Sequence, residues 1–400
     1  MLAFHVIQSL LLTAVIAGIC YYVASLCAAA SFFSNSVAQA GSYFPPVSVL
    51  IPLCGQDFEA IDNFSSFCRQ EYPDYQIVFG VRDSCDPVIA VVRDLMVKFK
   101  QVDIQLVISA ERIGENLKVS NLQNMLSRAK HEYLVIADSD VRVGPDYLRT
   151  VIAPLADRQV GLVTCLYRSA RALNLPSRLE AIGIAAEFIP SVLVSRALEG
   201  MRFALGASMA TSLDRLNSIG GFHAIADHLA DDFMLGNLLS RAAYRIHLSR
   251  YVVEVSQPPM SFRTMTRHQI RLSRGIRACR PLGHLGLILT FGTVLSFFYL
   301  LASGGSVWSL RLLGVSLVLR MIMGWVVGVH WLRDRVLRTN FWLLPLRDFF
   351  SFAIWISSLV GREVEWRGQL FKLIDGGRMV QVVRGRFRKD PNSSTGSATN

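Results

Sequence analysis

Two aspartates one residue apart, Asp138 and Asp140, close the uncharged run Tyr133-Leu134-Val135-Ile136-Ala137. A run of aliphatic and β-branched residues reads as a buried strand. Its abrupt end in two carboxylates brings both acids to the C-terminal edge of a sheet, where ligands sit in open α/β proteins. Acids so placed repel each other unless a cation lies between them, and a small set of oxygen ligands suits Mg2+ or Mn2+ holding a diphosphate. The ordinary reading of Asp-x-Asp is an Asx turn. Two further acidic clusters count against it. Val81-Arg82-Asp83-Ser84-Cys85-Asp86-Pro87 follows another apolar run, where Asp83 is either a turn acid or a ligand-binding one and Asp86 either caps the next helix or meets a ligand. Ala230-Asp231-Asp232-Phe233 opens a third, whose acids either complement a helix dipole or do chemistry. All three clusters fall at the edges of predicted elements, which turns alone do not explain three times over.

The elements that must position these acids alternate. Val47–Leu53, Tyr75–Arg82, Asp103–Ser109 and Glu132–Asp138 read as strands, with helical spacing over Pro87–Phe99, Asn116–Ala129 and Pro145–Ala156. Strand–helix alternation predicts an α/β fold with a mostly parallel sheet. Later strands are expected at Val160–Cys165 and Phe203–Thr211, a short helix capped by Asp214 and ending at Gly220-Gly221, a helix over Asp231–Ala243, and a strongly basic helix over Ser261–Cys279.

Half of the 400 residues are apolar, and no Lys, Arg, Asp or Glu occurs before Asp57. Phe4 to Phe33 is long enough to cross a bilayer. Ala38-Gln39-Ala40 resembles a signal-peptide cleavage site, but the basic n-region is missing and the apolar run is too long, so an uncleaved anchor is expected. Leu282–Ala302 is a further uncharged span. Val307–Leu332 is another, interrupted by Arg311 and Arg320, and Trp342–Val360 a third, weakened by Arg347-Asp348. Charges there either pair, face a cavity, or mark an interfacial helix. Ile182–Val194, apolar apart from Glu187, reads as a buried core helix or an interfacial one. The net charge of +11 is concentrated late in the chain beside apolar segments, which predicts contact with an anionic membrane surface and not with nucleic acid. Seven scattered cysteines without a Cys-x-x-Cys pair exclude a zinc site or a disulfide framework as an expectation.

The order of motifs resembles the ceramide glucosyltransferases and their bacterial relatives, membrane enzymes with a GT-A catalytic domain. The resemblance rests on Ser48-Val49-Leu50-Ile51-Pro52-Leu53-Cys54-Gly55, Glu71-Tyr72-Pro73-Asp74-Tyr75, Asp83 to Pro87, Asn116-Leu117-Lys118-Val119-Ser120-Asn121-Leu122, Asp138, Asp232, and Arg347-Asp348 through Val364-Glu365-Trp366-Arg367-Gly368. It implies transfer of a hexose, glucose first, from a UDP-sugar to a ceramide-type lipid hydroxyl, with inversion, in an integral membrane protein whose catalytic domain faces the cytosol (the inner membrane in a bacterium). On that footing Asp140, assisted by Asp138, holds a divalent cation. Asp83, Asp86, Lys118, Asp138, Arg271 and His268 bind the donor, and Asp232, with Asp231 as its neighbour and rival, is the general base. The implied organisation is an anchor (1–34), the GT-A domain (45–258), a basic interfacial helix (259–280), transmembrane or interfacial helices (281–362), a basic segment (363–389) and a disordered tail (390–400).

Two departures bear on the acceptor. Where the family has Gln or Arg, two residues, then Arg-Trp, this chain has His268-Gln269-Ile270-Arg271-Leu272, so a stacking tryptophan is expected to be lost. Ile189 stands in the region where animal enzymes carry an important histidine. Rival readings are transfer of a sugar such as N-acetylglucosamine to a hopanoid or diacylglycerol, a processive polysaccharide synthase, disfavoured by too few helices for a channel, and a lipid-binding pseudo-transferase, disfavoured by the intact acidic clusters.

Overall fold

The computed structural model describes residues 2–34 and 43–382. The residues Ala38-Gln39-Ala40, the basic cluster Arg384 to Lys389 and the polar tail from Asp390 lie outside this range.

Eight strands form one mixed sheet in the order β3-β2-β1-β4-β7-β6-β8-β5. They are β1 (Val47–Pro52), β2 (Tyr75–Val81), β3 (Asp103–Ile108), β4 (Tyr133–Ala137), β5 (Val141–Arg142), β6 (Val160–Ala172), β7 (Ser208–Ser212) and β8 (Arg245–Gln257). β1 to β4 are parallel, in the order 3-2-1-4; β1, β2 and β4 are buried on both faces, as their apolar runs demand, and β3 is a half-buried edge. β7 turns antiparallel against β4, pairing Val135 with Ala210. Only Asp138, Ser139 and Asp140 separate β4 from β5, yet β5 pairs with β8 at the far edge through Val141 and Val255. The connection reaches at most about 14 Å, whereas four flat strand spacings would need roughly 19 Å. The sheet therefore curls, and the acidic turn lies where its two ends approach.

β8 is a strand the sequence pattern did not reveal, and β6 extends to Ala172, seven residues past its expected end. The two pair in parallel along their length, with irregularities at Cys165/Leu166 and Ser169/Arg171. The short helix Leu213–Ser218 is capped by Ser212, whose hydroxyl accepts from the Arg215 amide, and Asp214 only occupies its first turn.

Among the described residues three helices are long and apolar enough to cross a membrane: Phe4–Ser34, Leu175–Glu199 and Val307–Trp331. The second encloses Ile182–Val194 and widens into a π-turn at Ile184–Phe188. Its buried residues pack with Tyr22, Ala29 and Phe32 of the first helix and Met323 and Val327 of the third. The expected continuous span Leu282–Ala302 is instead bent by 64° between Pro281–Thr290 and Gly292–Ala302. The third expected span shortens to the helix Leu344–Ser358, preceded by a separate 3-10 turn at Phe341–Leu343, and its Arg347 and Asp348 are buried within the protein. Arg320 meets Asp348 at 2.7–3.0 Å and also donates to the Ala186 carbonyl at 3.0 Å, satisfying both charges. The basic helix Phe262–Cys279 starts on Ser261, which accepts from the Thr264 amide, and carries exposed Phe262, Leu272 and Ile276. Arg274 and Arg277 of this helix donate to the carbonyls of Val360, Gly361 and Glu363. These bonds seat a small antiparallel sheet of β9 (Glu363–Trp366), β10 (Gln369–Leu373) and β11 (Met379–Gln381).

Candidate active site

Because β2, β1 and β4 are neighbours running the same way, their C-terminal ends bring Asp83–Asp86, Gly55 and Asp138–Asp140 to one edge. Asp86 spends both oxygens on the backbone: one accepts from the Gly55 amide at 2.7 Å, the other from Val88 at 3.0 Å. It thus joins the loops after β1 and β2 and starts the next helix. Asp83 is exposed and accepts from the Cys85 amide at 2.9 Å, an Asx turn that leaves its second oxygen open.

Asn116 caps the helix Leu117–Met125 by accepting from the amides of Lys118 and Val119. Its side-chain nitrogen meanwhile donates to the His228 carbonyl at 2.7 Å and toward Asp231 at 3.4 Å. One residue thereby fixes the start of one helix and the approach to another. In the first turn of the capped helix, Lys118 places its ammonium 2.5 Å from Asp138 and 3.5 Å from Asp231. Burial works against that charge, but the facing carboxylates of Asp138 and Asp231 outweigh it and raise the lysine pKa. The second Asp231 oxygen is buried without an aligned hydrogen bond, so its compensation is the Lys118 charge alone.

Asp231 and Asp232 open the helix Asp231–Arg241, where carboxylates complement the helix dipole. Asp232 accepts from the Phe233 amide at 2.7 Å through one oxygen. The other lies against Gly206, where a Cβ would come within 2.8 Å. Gly236 lets the same helix press on the backbone of Phe203 and Ala204, since a Cβ there would fall 2.4 Å from the Ala204 nitrogen. Burial first, then the charge of Asp231, pushes the Asp232 pKa up to about 6. Asp140 is pushed up to about 7, by burial first and then by the charges of Asp138 and Asp57.

Asp57, the first charged residue of the chain, was not singled out by the sequence reading. It accepts from the hydroxyl of Ser139, the residue between the two aspartates. Its position after 56 residues without Lys, Arg, Asp or Glu was the available signal. Tyr167 was missed as well. Its ring packs tilted against Phe188 with centroids 5.5 Å apart, and burial together with the charges of Asp232, Glu180, Asp138 and Asp140 keeps its phenol protonated. Nothing local in the sequence marks it.

Among the described residues no group of three or more His, Cys, Asp or Glu side chains is arranged to hold a metal ion. A Mg2+-type site needs only one or two carboxylates, substrate phosphates and water completing the shell. Asp140 fits that pattern, having no ion pair of its own and three-carboxylate crowding with Asp138 and Asp57 that a cation would relieve.

His268 and Arg271 pair with each other, and His268 with Glu180. Arg271 meets the His268 ring at 3.1 Å, and His268 lies 3.7 Å from Glu180. Among the described residues no hydrogen bond or ion pair joins either to Asp83, Asp86, Asp138 or Asp140. Leu272 leaves position 272 without an aromatic ring, but Arg271 has an aromatic neighbour. The Trp366 ring of β9 lies 5.9 Å from the Arg271 guanidinium and supplies that face from another part of the chain.

The profile of glycosyl transferase family 21 matches residues 10–379. The chain belongs to glycosyl transferase family 21. This family 21 protein is 24% identical to ceramide glucosyltransferase 1 of Caenorhabditis elegans over 350 residues, covering 84% of this chain and 73% of the relative. It is 24% identical to ceramide glucosyltransferase 3 of the same organism over 211 residues, 52% of this chain and 46% of that one. Among solved structures it is similar to a mannosyltransferase of Pyrobaculum calidifontis, determined in complex with GDP-Man and Mn2+. The TM-score is 0.55 at 18% identity, over 89% of this chain and 99% of that one. The expected GT-A fold, with apolar helices attached, is the fold observed.

Proposed function

We propose that this family 21 protein transfers a hexose, glucose first, from a UDP-sugar to the hydroxyl of a ceramide-type membrane lipid, with inversion at the anomeric carbon. The observation that carries the reading is Lys118, which ties Asp138 of the strand edge to Asp231 of the acidic helix start. That contact supports reading Asp138 as a donor-side acid and the Asp231-Asp232 pair as the source of the base for one sugar.

Asp140, with Asp138, would hold Mg2+ or Mn2+, which when bound neutralises diphosphate charge. Lys118 lies where a second positive charge meets the departing UDP. Asp83, with one free oxygen, accepts from the uracil or ribose end, while Asp86 sets the loop geometry around it. Asp232 accepts the proton of the lipid hydroxyl as it attacks the face opposite UDP, and its pKa near 6 keeps it ionised at neutral pH. Asp231 is less suited to that task because it is buried and engaged by Lys118 and Asn116. The Arg271–His268 pair lies on the acceptor side in this reading and not on the donor. Membrane attachment through the apolar helices, with the catalytic domain cytosolic, gives the lipid direct access.

The test is the purified full chain in detergent, supplied with UDP-glucose, UDP-galactose or UDP-N-acetylglucosamine against ceramide, hopanoid and diacylglycerol. Glucosylceramide as the main product is the expected result. A different lipid product would move the acceptor, and no product with any pair would remove the transferase reading.

A further inference from the structure

A second polar cluster lies outside the cleft, where the apolar helix Leu175–Glu199, the basic helix and the helix Leu344–Ser358 meet. Arg347 and Glu180 are 2% and 5% exposed. Arg347 holds Glu187 at 3.1–3.2 Å, and the Ser351 hydroxyl lies 2.7–2.8 Å from the same carboxylate. Gln269 bridges the two ends, donating to Glu180 at 2.6 Å and accepting from Arg347 at 3.1 Å.

The Arg347 end is left one partner short, and the Glu180 end keeps one oxygen outside the network. The Arg347 Nη1 is buried with no hydrogen-bond partner. The second Glu180 oxygen lies 3.7 Å from His268, and among the described residues no Arg or Lys is within ion-pair distance of it. A buried guanidinium nitrogen left unpaired costs several-fold more than a typical bond returns, so the arrangement is incomplete as it stands. The backbone is shaped around it. Gly183 is required beside Arg347, because a Cβ there would fall 2.4 Å from Nη2, and Glu187 lies in the π-turn Ile184–Phe188 that follows the turn bearing Glu180.

We propose that the Glu180–Gln269–Arg347 cluster binds the uncharged headgroup of a membrane lipid that carries a hydroxyl or amide donor beside a carbonyl or hydroxyl oxygen. The donor pairs with Glu180 and the oxygen with Arg347 Nη1. An anionic headgroup is disfavoured, because Glu187 already neutralises Arg347 and Glu180 adds a further negative charge. A cation is disfavoured by the free guanidinium nitrogen. The lipid's chains have an apolar path along the Leu175–Glu199 helix, which is only half buried within the protein. Tyr167, packed on Phe188, feels the charges of both Glu180 and Asp232. The proposal rests on the lipid-acceptor reading above and names the residues that would recognise that lipid.

The experiment is photolabelling of the full chain in nanodiscs with three probes bearing photoreactive acyl chains: an N-acyl amino alcohol, a diacylglycerol and a phosphatidylglycerol. The neutral probes should label peptides from residues 175–199, and the anionic one should not. The relative yields of the two neutral probes separate an amide from an ester headgroup. Glu180→Gln should lower neutral-probe labelling and raise the acceptor KM, each about tenfold. Arg347→Lys, which keeps a charge facing Glu187 but removes the free nitrogen, should act in the same direction. UDP affinity, read by calorimetry, should stay within about twofold. Equal labelling by the anionic probe, unchanged labelling in both variants, or a parallel loss of UDP affinity and melting temperature would overturn the site in favour of a structural lock. Labelling requires no turnover. A Glu180-dependent signal without sugar transfer would therefore keep the site and sink the transferase reading, and transfer at unchanged acceptor KM in Glu180→Gln would do the reverse.

Discussion

Asp232→Asn should separate stability from catalysis, because the same buried carboxylate hinders one and serves the other. The amide keeps an oxygen for the Phe233 N–H at 2.7 Å and matches the space beside Gly206, so the helix start survives. In the wild type the folded-state pKa is about 6 against an ordinary 3.8, so ionisation opposes folding. A raised acid contributes stability that is complete below pH 3.8 and is lost as pH rises through about 6. The shift corresponds to about 1–3 kcal/mol once partial solvent access is allowed for. The variant should therefore melt higher than wild type at pH 7–8 and equally at pH 4. Turnover should fall by roughly 10²–10⁴, the usual worth of a general base, with donor affinity unchanged. Wild-type kcat/KM should decline below about pH 6, to about a tenth of its plateau near pH 5, and the residual activity of the variant should lack that limb. Melting curves and initial rates across pH 4–9, with calorimetric UDP binding, read all three quantities. A variant with wild-type turnover would refute the base assignment and leave Asp231 as the next candidate. A variant that lost UDP affinity would place Asp232 on the donor side.

Asp140→Asn should abolish transfer and remove the strengthening of UDP-sugar binding by Mg2+ or Mn2+; wild-type turnover of this variant in EDTA would show that no cation acts there. Because the raised Asp140 pKa penalises the ion-free fold above pH 7, added Mn2+ should raise the melting temperature more at pH 8 than at pH 5, as differential scanning would record. Arg320→Met should destabilise the helix assembly by about 3–5 kcal/mol by stranding Asp348, and Arg320→Met with Asp348→Leu should recover most of that, measured by denaturation in detergent. Protease added to sealed, right-side-out cells should leave residues 45–280 intact, and cleavage there would reverse the proposed orientation.

What could be read from the sequence was whatever is decided locally. The end of an apolar run marks a strand end, so the sequence puts Asp83, Asp86, Asp138 and Asp140 at element edges, and the parallel order of β2, β1 and β4 makes them one edge. Caps act over three residues, so Asn116 and Ser261 opened their helices where expected. Where two adjacent candidates existed, as with Ser212 and Asp214, backbone geometry chose between them. β8 escaped notice because Arg245, His247, Arg250 and Glu254 break its apolar pattern, and its pairing with β6 is made far along the chain. Hydropathy judged Arg320, Arg347 and Asp348 one residue at a time and counted them against their segments. Their partners, Asp348 for Arg320 and Glu187 for Arg347, are 28 and 160 residues away. The bend after Thr290 and the Trp366 face over Arg271 are likewise products of packing between distant segments. The decisive case is Lys118. Its type and its place at a helix start were plain in the sequence, but only the curled sheet and the Asn116 brace bring Asp138 and Asp231 to either side of it, because a charge acts over ångströms in space and not along the chain.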